Sequence, residues 1–138
     1  MKLYFAPGAC SLSPHIVLRE AGIDADLEQV DPKSKKTKNG ADYTAVNPKG
    51  QVPALVLDNG QTLTEGPAIV QYLADQKPDS RLAPPNGTLQ RYRLQEWLNF
   101  ITSELHKSSL PTYGSGRLQA YREGDDFQSL RFCRSAPR

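Results

Sequence analysis

The sequence predicts an α/β chain that runs strand, helix, strand, then strand, strand, helix, and continues into one long helix. Three observations predict it. Short segments rich in strand formers alternate with segments whose apolar residues recur at helical period. An Asn-Gly pair at 59–60 joins two of these segments as a hairpin. Proline and glycine stand where helices should start and stop.

Taken in order, Lys2-Leu3-Tyr4-Phe5 alternates polar and apolar and reads as a strand, which Pro7-Gly8 ends. A helix follows with Ser11 or Ser13 as N-cap, Pro14 in its first turn and Gly22 just past its end. Its expected apolar stripe is Leu12, Ile16, Val17 and Ala21. Leu27 to Asp31 is a second strand and the Lys-rich stretch 32–39 a loop. Asn47-Pro48-Lys49-Gly50 is turn chemistry, and residues 52–57 form an apolar strand entered through Pro53. The hairpin leads to residues 61–64. Thr64, Glu65, Gly66 and Pro67 then open a helix ending near Asp75. Three prolines within residues 77–87 forbid a continuous helix and mark a linker. From about 88 to 107 a long amphipathic helix places Leu94, Trp97, Leu98, Ile101 and Leu105 on one face. Glu96, Asn99, Ser103 and His106 fall on the other. The expected domains are 1–80 and 87–138.

Composition narrows the function classes. Seventeen basic side chains against fifteen acidic give a net charge of +2, without the basic stripe that a nucleic-acid binder needs. The longest apolar run, about five residues, is too short to span a membrane. The amino terminus carries no apolar signal region. Two cysteines, Cys10 and Cys133, are too few for a disulfide framework, which makes a reducing cytoplasm the expected compartment. With His15 and His106 they form no metal-ligand spacing, so no metal is expected. Charge is unevenly spread. Residues 1–110 sum to zero, whereas residues 111–138 hold five Arg, no Lys, three acids, and neither Val nor Ile.

Several residues could carry chemistry. Cys10 follows a strand and precedes a helix amino terminus, where free N–H groups and the helix dipole favour a thiolate. It could also be a small buried hydrophobe, as most free cysteines are, and Ser13 stands where a C-x-x-C partner would be. A cis bond at Val52-Pro53, opposite that cysteine, would leave backbone groups open to an extended peptide; an ordinary trans edge proline would not. Glu65 and Gly66 open a helix, so Glu65 could accept from a ligand ammonium while backbone N–H groups take a carboxylate. It could also be a plain first-turn acid. Lys33, Lys35, Lys36 and Lys38 could hold a carboxylate or be a solvated loop. The stripe of Asn99, Ser103 and His106 could line a cleft or simply face water.

Together the segments MKLYFAPGACSLSPHIVLRE, DYTAVNPKGQVPALVLDNG, LTEGPAIVQYLAD and RYRLQEWLNFITSELHK, within residues 1–107, resemble the bacterial beta-class glutathione S-transferases. The resemblance implies a thioredoxin-like amino-terminal domain, an all-α glutathione transferase carboxy-terminal domain and a homodimer. It implies glutathione as co-substrate, a hydrophobic electrophile as second substrate, and a detoxifying role. Cys10 would lie by the glutathione sulfur and form a mixed disulfide with it, and His106 would assist chemistry at sulfur. Val52, before a cis Pro53, would pair with the cysteinyl part of the tripeptide. Glu65 and Gly66 would hold its γ-glutamyl end and Lys35 a carboxylate. Asn99, Ser103, Glu104 and Leu105 would border the site, with Glu104 reaching across the dimer.

The motifs end near Leu110. Residues 111–138 read like translation in a wrong frame, so the α-domain is expected to be incomplete through truncation or frameshift, with no role for Cys133. The apolar face of the long helix would then lack partner helices, at about 1.5–3 kcal/mol for each large side chain left exposed. Whether the chain is an enzyme is left open on this reading. The alternatives are a glutathione-binding module without turnover and a non-functional gene product.

Overall fold

A five-stranded sheet in the order β3-β2-β1-β4-β5 organises the amino-terminal part of the chain in a computed structural model, which describes residues 1–106. The strands are β1 (Lys2–Phe5), β2 (Asp26–Asp31), β3 (Lys36–Thr37), β4 (Ala54–Val56) and β5 (Thr62–Thr64). Helix α1 (Leu12–Glu20) crosses from β1 to the parallel strand β2, a connection too long for a tight turn. Strand β4 returns antiparallel to β1, and β5 pairs antiparallel with β4. Helix α2 (Gly66–Gln76) follows β5. This is the thioredoxin-like arrangement of β-α-β followed by β-β-α.

Register decides which loops meet. Tyr4 near the end of β1 faces Ala54 at the start of β4, and Ala54 faces Thr64 at the end of β5. The chain leaving β1, the chain entering β4 and the chain leaving β5 therefore gather at one end of the sheet. Strand β2, parallel to β1, ends there too.

Strand alternation sends Leu3 and Leu55, which are register partners, to one face. There they form a fully buried cluster with Leu18 of α1 and Ile69 and Leu73 of α2. Val30, Tyr43 and Ala54 form a second cluster, flanked by Tyr4, Val46 and Val52. The hairpin at 59–60 closes with Gly60 at φ 81 and Leu57 N–H donating to Gln61 C=O at 2.8 Å.

Several elements differ from expectation. In α1 the buried positions are Pro14 and Leu18, whereas Leu12 is 57% and Ile16 50% exposed. Val17 packs against the core as expected, so the expected stripe holds for Val17 and fails for Leu12 and Ile16. The Lys-rich stretch is not wholly loop, since Lys36–Thr37 pairs with Val30 and Asp31. A 3-10 turn occupies Tyr43–Ala45 and another Pro78–Ser80 in the linker. Helix α3 (Leu89–Phe100) passes into a π-helical turn, Ile101–Leu105, with His106 helical beyond it, so the expected long helix is present with a π segment inside it. There Thr102 and Ser103 hydroxyls donate to the Leu98 and Asn99 carbonyls, both at 2.9 Å. Such back-bonding competes for the carbonyls that the α ladder uses.

The chain divides into two units between Gln95 and Glu96. In the first, the Arg91 guanidinium is only 3% exposed. It donates to both carboxylate oxygens of Asp75 at 2.9 and 2.6 Å, to Gln71 Oε1 at 3.0 Å and to the Pro84 carbonyl at 2.9 Å. In the second, the Trp97 and Phe100 rings meet edge-on at 5.8 Å. On the expected core face Trp97, Ile101 and Leu105 are exposed, and Leu94 and Leu98 are half-buried. Lys107, the tail 111–138 and Cys133 lie outside the described residues. Among the described residues no helix is long and apolar enough to cross a membrane.

Candidate functional site at one end of the sheet

Cys10 sits in the loop between β1 and α1, exposed, with its thiol donating to the Val52 carbonyl at 3.3 Å. The register explains the meeting, because residues after β1 and before β4 share one end of the sheet. The peptide bond Val52-Pro53 is cis.

Ser11 fixes the Cys10 loop. Its hydroxyl, fully buried, accepts from Ala6 N–H and donates to Ala6 C=O, each at 3.1 Å. It occupies the N-cap position of α1 without capping, since its backbone is helical (φ −64, ψ −9) and a capping side chain needs an extended backbone.

The segment before Val52 is held more tightly still. The Tyr43 phenol and the Asn47 side-chain amide both donate to the Gln51 carbonyl, at 2.7 and 2.8 Å. Lys35, at φ 56, places its ammonium 2.8 Å from the Gly50 carbonyl. Lys35 is reached through a turn that Asp31 holds. The Asp31 carboxylate accepts from Lys33 N–H at 2.9 Å and from the Ser34 hydroxyl at 2.7 Å. These two bonds keep its carboxyl below the ordinary Asp value. Lys35 therefore lies on the Gly50 carbonyl, whereas Lys33, Lys36 and Lys38 are exposed.

Glu65 precedes α2 with φ 71 and ψ 118. A non-glycine residue in this region is strained by roughly 1–3 kcal/mol and is found where surroundings over-determine it, often beside ligands. Its carboxylate makes no cap. It accepts instead from Lys49 Nζ at 2.8 Å, and the same ammonium lies 3.3 Å from the Thr64 hydroxyl. Gly66 is the first residue of α2, and a Cβ built there would meet nothing within 4 Å.

Cys10, Val52, Glu65 and Gly66 thus share one end of the sheet, with Lys35 on the Gly50 carbonyl two residues before Val52. Asn99, Ser103, Glu104, Leu105 and His106 belong to the second unit. Within it the Ser103 hydroxyl donates to the Asn99 carbonyl, and His106 N–H bonds Ile101 C=O across the π turn. That wider turn breaks the 100° spacing on which the stripe of Asn99, Ser103 and His106 was counted. Sequence reasoning missed Tyr43, Asn47 and Lys49 as contributors and read Ser11 only as a cap. For Asn47 and Lys49 the available signal was their place in the turn before Val52. Among the described residues no group of acids, Cys and His could hold a metal ion.

The family sequence pattern described as "Glutathione S-transferase, N-terminal domain" matches residues 8–76. The chain is 54% identical over 122 residues to "Glutathione S-transferase GstA" of Escherichia coli O157:H7, covering 88% of this chain and 61% of that protein. That similarity runs past Leu110, where the sequence motifs gave out. The chain therefore spans less than two thirds of this relative's length. Among solved structures, a bacterial beta-class glutathione S-transferase of Sphingomonas chungbukensis superposes with a TM-score of 0.78 at 52% identity, covering 87% of this chain and 62% of that one. A sphingomonad glutathione S-transferase complexed with glutathione superposes with a TM-score of 0.79 at 48% identity, covering 96% and 68%.

Proposed function

Because the chain belongs to the glutathione S-transferase family, we propose that it binds glutathione where Cys10, Val52 and Glu65 converge and uses it for conjugation or thiol–disulfide chemistry. The observation that carries this reading is the Cys10 thiol on the Val52 carbonyl at 3.3 Å, a thiol beside a backbone edge that suits an extended peptide. Val52 would pair with the cysteinyl part of the tripeptide, bringing its sulfur to Cys10. Glu65 would take the γ-glutamyl ammonium and the Gly66 end of α2 its carboxylate. Lys35 would lie near a second carboxylate. Asn99, Ser103, Glu104, Leu105 and His106 would complete the site from the second unit, Glu104 across a homodimer and His106 by holding a proton near sulfur. The glutathione complex of the sphingomonad relative supports the ligand. The expected compartment is the cytoplasm, and a hydrophobic electrophile is the expected second substrate.

Two reactions fit. In conjugation the glutathione thiolate forms a carbon–sulfur bond and the electrophile's leaving group departs with the displaced electron pair. In exchange the Cys10 thiolate attacks glutathione disulfide: one S–S bond forms, one breaks, and the released glutathione thiolate takes up a proton. The test uses the full chain. It should be retained by immobilised glutathione and, in a Cys133→Ser background that leaves one thiol, gain the mass of one glutathionyl group on exposure to glutathione disulfide and lose that gain in Cys10→Ala. Turnover of an aromatic electrophile by both proteins then separates conjugation from exchange. Failure to bind glutathione at all would end the proposal.

A further inference from the structure

We infer that Tyr43 and Asn47 are positioning residues that set the Val52 backbone under the Cys10 thiol. The inference deepens the glutathione reading and rests on it for its consequence in binding. The Gln51 carbonyl immediately precedes Val52 and receives two donors, the Tyr43 phenol at 2.7 Å and the Asn47 amide at 2.8 Å. A carbonyl oxygen has two lone pairs, so both are satisfied, and rotating the peptide plane would break two hydrogen bonds. Neither donor is a surface group. Tyr43 is 0% and Asn47 3% exposed.

Each donor is itself immobilised. The Tyr43 ring packs in the Val30–Ala54 cluster and against Tyr4, with ring centroids 5.3 Å apart. Burial also pushes its phenol above the ordinary tyrosine value, so it remains an O–H donor across the working range. Asn47 accepts from Lys49 N–H on its side-chain oxygen at 3.2 Å, while its own N–H donates to the Tyr43 carbonyl at 3.0 Å. One residue earlier, Lys35 holds the Gly50 carbonyl at 2.8 Å. Two successive carbonyls are thereby fixed by three side chains, and the next carbonyl along the chain accepts the Cys10 thiol. A loop needing only to turn would not require two buried polar side chains on one oxygen.

The test is Tyr43→Phe, which keeps the ring and its packing and removes only the donor. It is made in a Cys133→Ser background so that one thiol reports. Three quantities are measured: the rate of Cys10 alkylation by iodoacetamide without glutathione, the Kd for glutathione, and the Tm. A loosened Val52 carbonyl releases the S–H, so alkylation should accelerate about two- to fivefold, the equivalent of one modest hydrogen bond. The Kd for glutathione should rise by a similar factor. A lower Tm with alkylation rate and Kd both unchanged would make Tyr43 a core residue and nothing more, and the inference would fall. Faster alkylation with unchanged Kd would uphold the positioning and instead remove Val52 from the glutathione site. Should Tyr43→Phe not fold, Asn47→Ala removes the second donor to the same oxygen and carries the same expectation.

Discussion

A serine before a helix is the commonest of capping residues, and Ser11 shows how burial overrides that preference. Its oxygen faces Ala6, five residues back, and closes the loop that presents Cys10. Replacing it with alanine leaves Ala6 N–H without its partner in a buried setting, at a cost of about 1–3 kcal/mol; the Ala6 carbonyl keeps Ala9 N–H at 3.2 Å. Urea unfolding of Ser11→Ala should show a loss in that range, and a loss within about 0.5 kcal/mol, the size of an ordinary surface substitution, would contradict the role. Cys10 was visible in the sequence because its chemistry and its place before a helix are local facts. The hydroxyl's true partner was not visible, because it depends on how the loop folds back. Glu65 behaves alike: an acid at a helix start is legible, but its positive φ and its Lys49 partner are set by the junction of β5 and α2.

Elements were legible wherever their signals are short-range. The Asn-Gly hairpin, the proline at the opening of α2 and the glycine after α1 all appear as the sequence implies. At that last position Gly22, at φ 62, ends α1 in a Schellman motif. Its N–H donates to Arg19 C=O at 3.1 Å, and Ile23 N–H donates to Leu18 C=O at 2.9 Å. Ile23 then packs on the cluster that holds Leu18. Gly22→Ala forces an L side chain into a left-handed conformation with open space around it, so the cost is conformational alone, about 1–2 kcal/mol. A thermal-melt series of glycine, asparagine and alanine at this position should place asparagine between the other two, since Asn tolerates that region better than Ala. Asparagine no better than alanine would argue against a backbone cause. The phase of α1 was only partly legible for a different reason: Val17 packs on the core as expected, but Pro14 and Leu18 are buried by contacts with distant elements, which leaves Leu12 and Ile16 outside.

At the scale of the whole molecule net charge says little, since a value of +2 does not disclose which charges are buried. The decisive one in the first unit is Arg91, which ties α2 to the proline-rich linker through Asp75, Gln71 and the Pro84 carbonyl. Nothing local marks it among the polar positions of α3. The paired guanidinium holds the Asp75 carboxyl below its ordinary 3.8, and the Arg91 pKa is raised in turn, so Arg91 stays charged throughout and Asp75 carries the pH dependence. A carboxyl depressed in the folded state stabilises it above the unfolded value, about 3.9, and that contribution is lost as pH falls through the lower folded value. Asp75→Asn strands a buried guanidinium. Removing one partner of a fully buried pair costs about 3–5 kcal/mol, but the Asp75 side chain is 35% exposed and water relieves part of it, so about 1–3 kcal/mol at pH 7 is the expected loss. As pH falls through the lowered folded value, the gap between variant and wild type should close, because the wild-type carboxyl is then protonating as well. Urea midpoints of both proteins between pH 7 and pH 2 measure this directly. Parallel curves across that range would mean that the Arg91 pair contributes shape without charge.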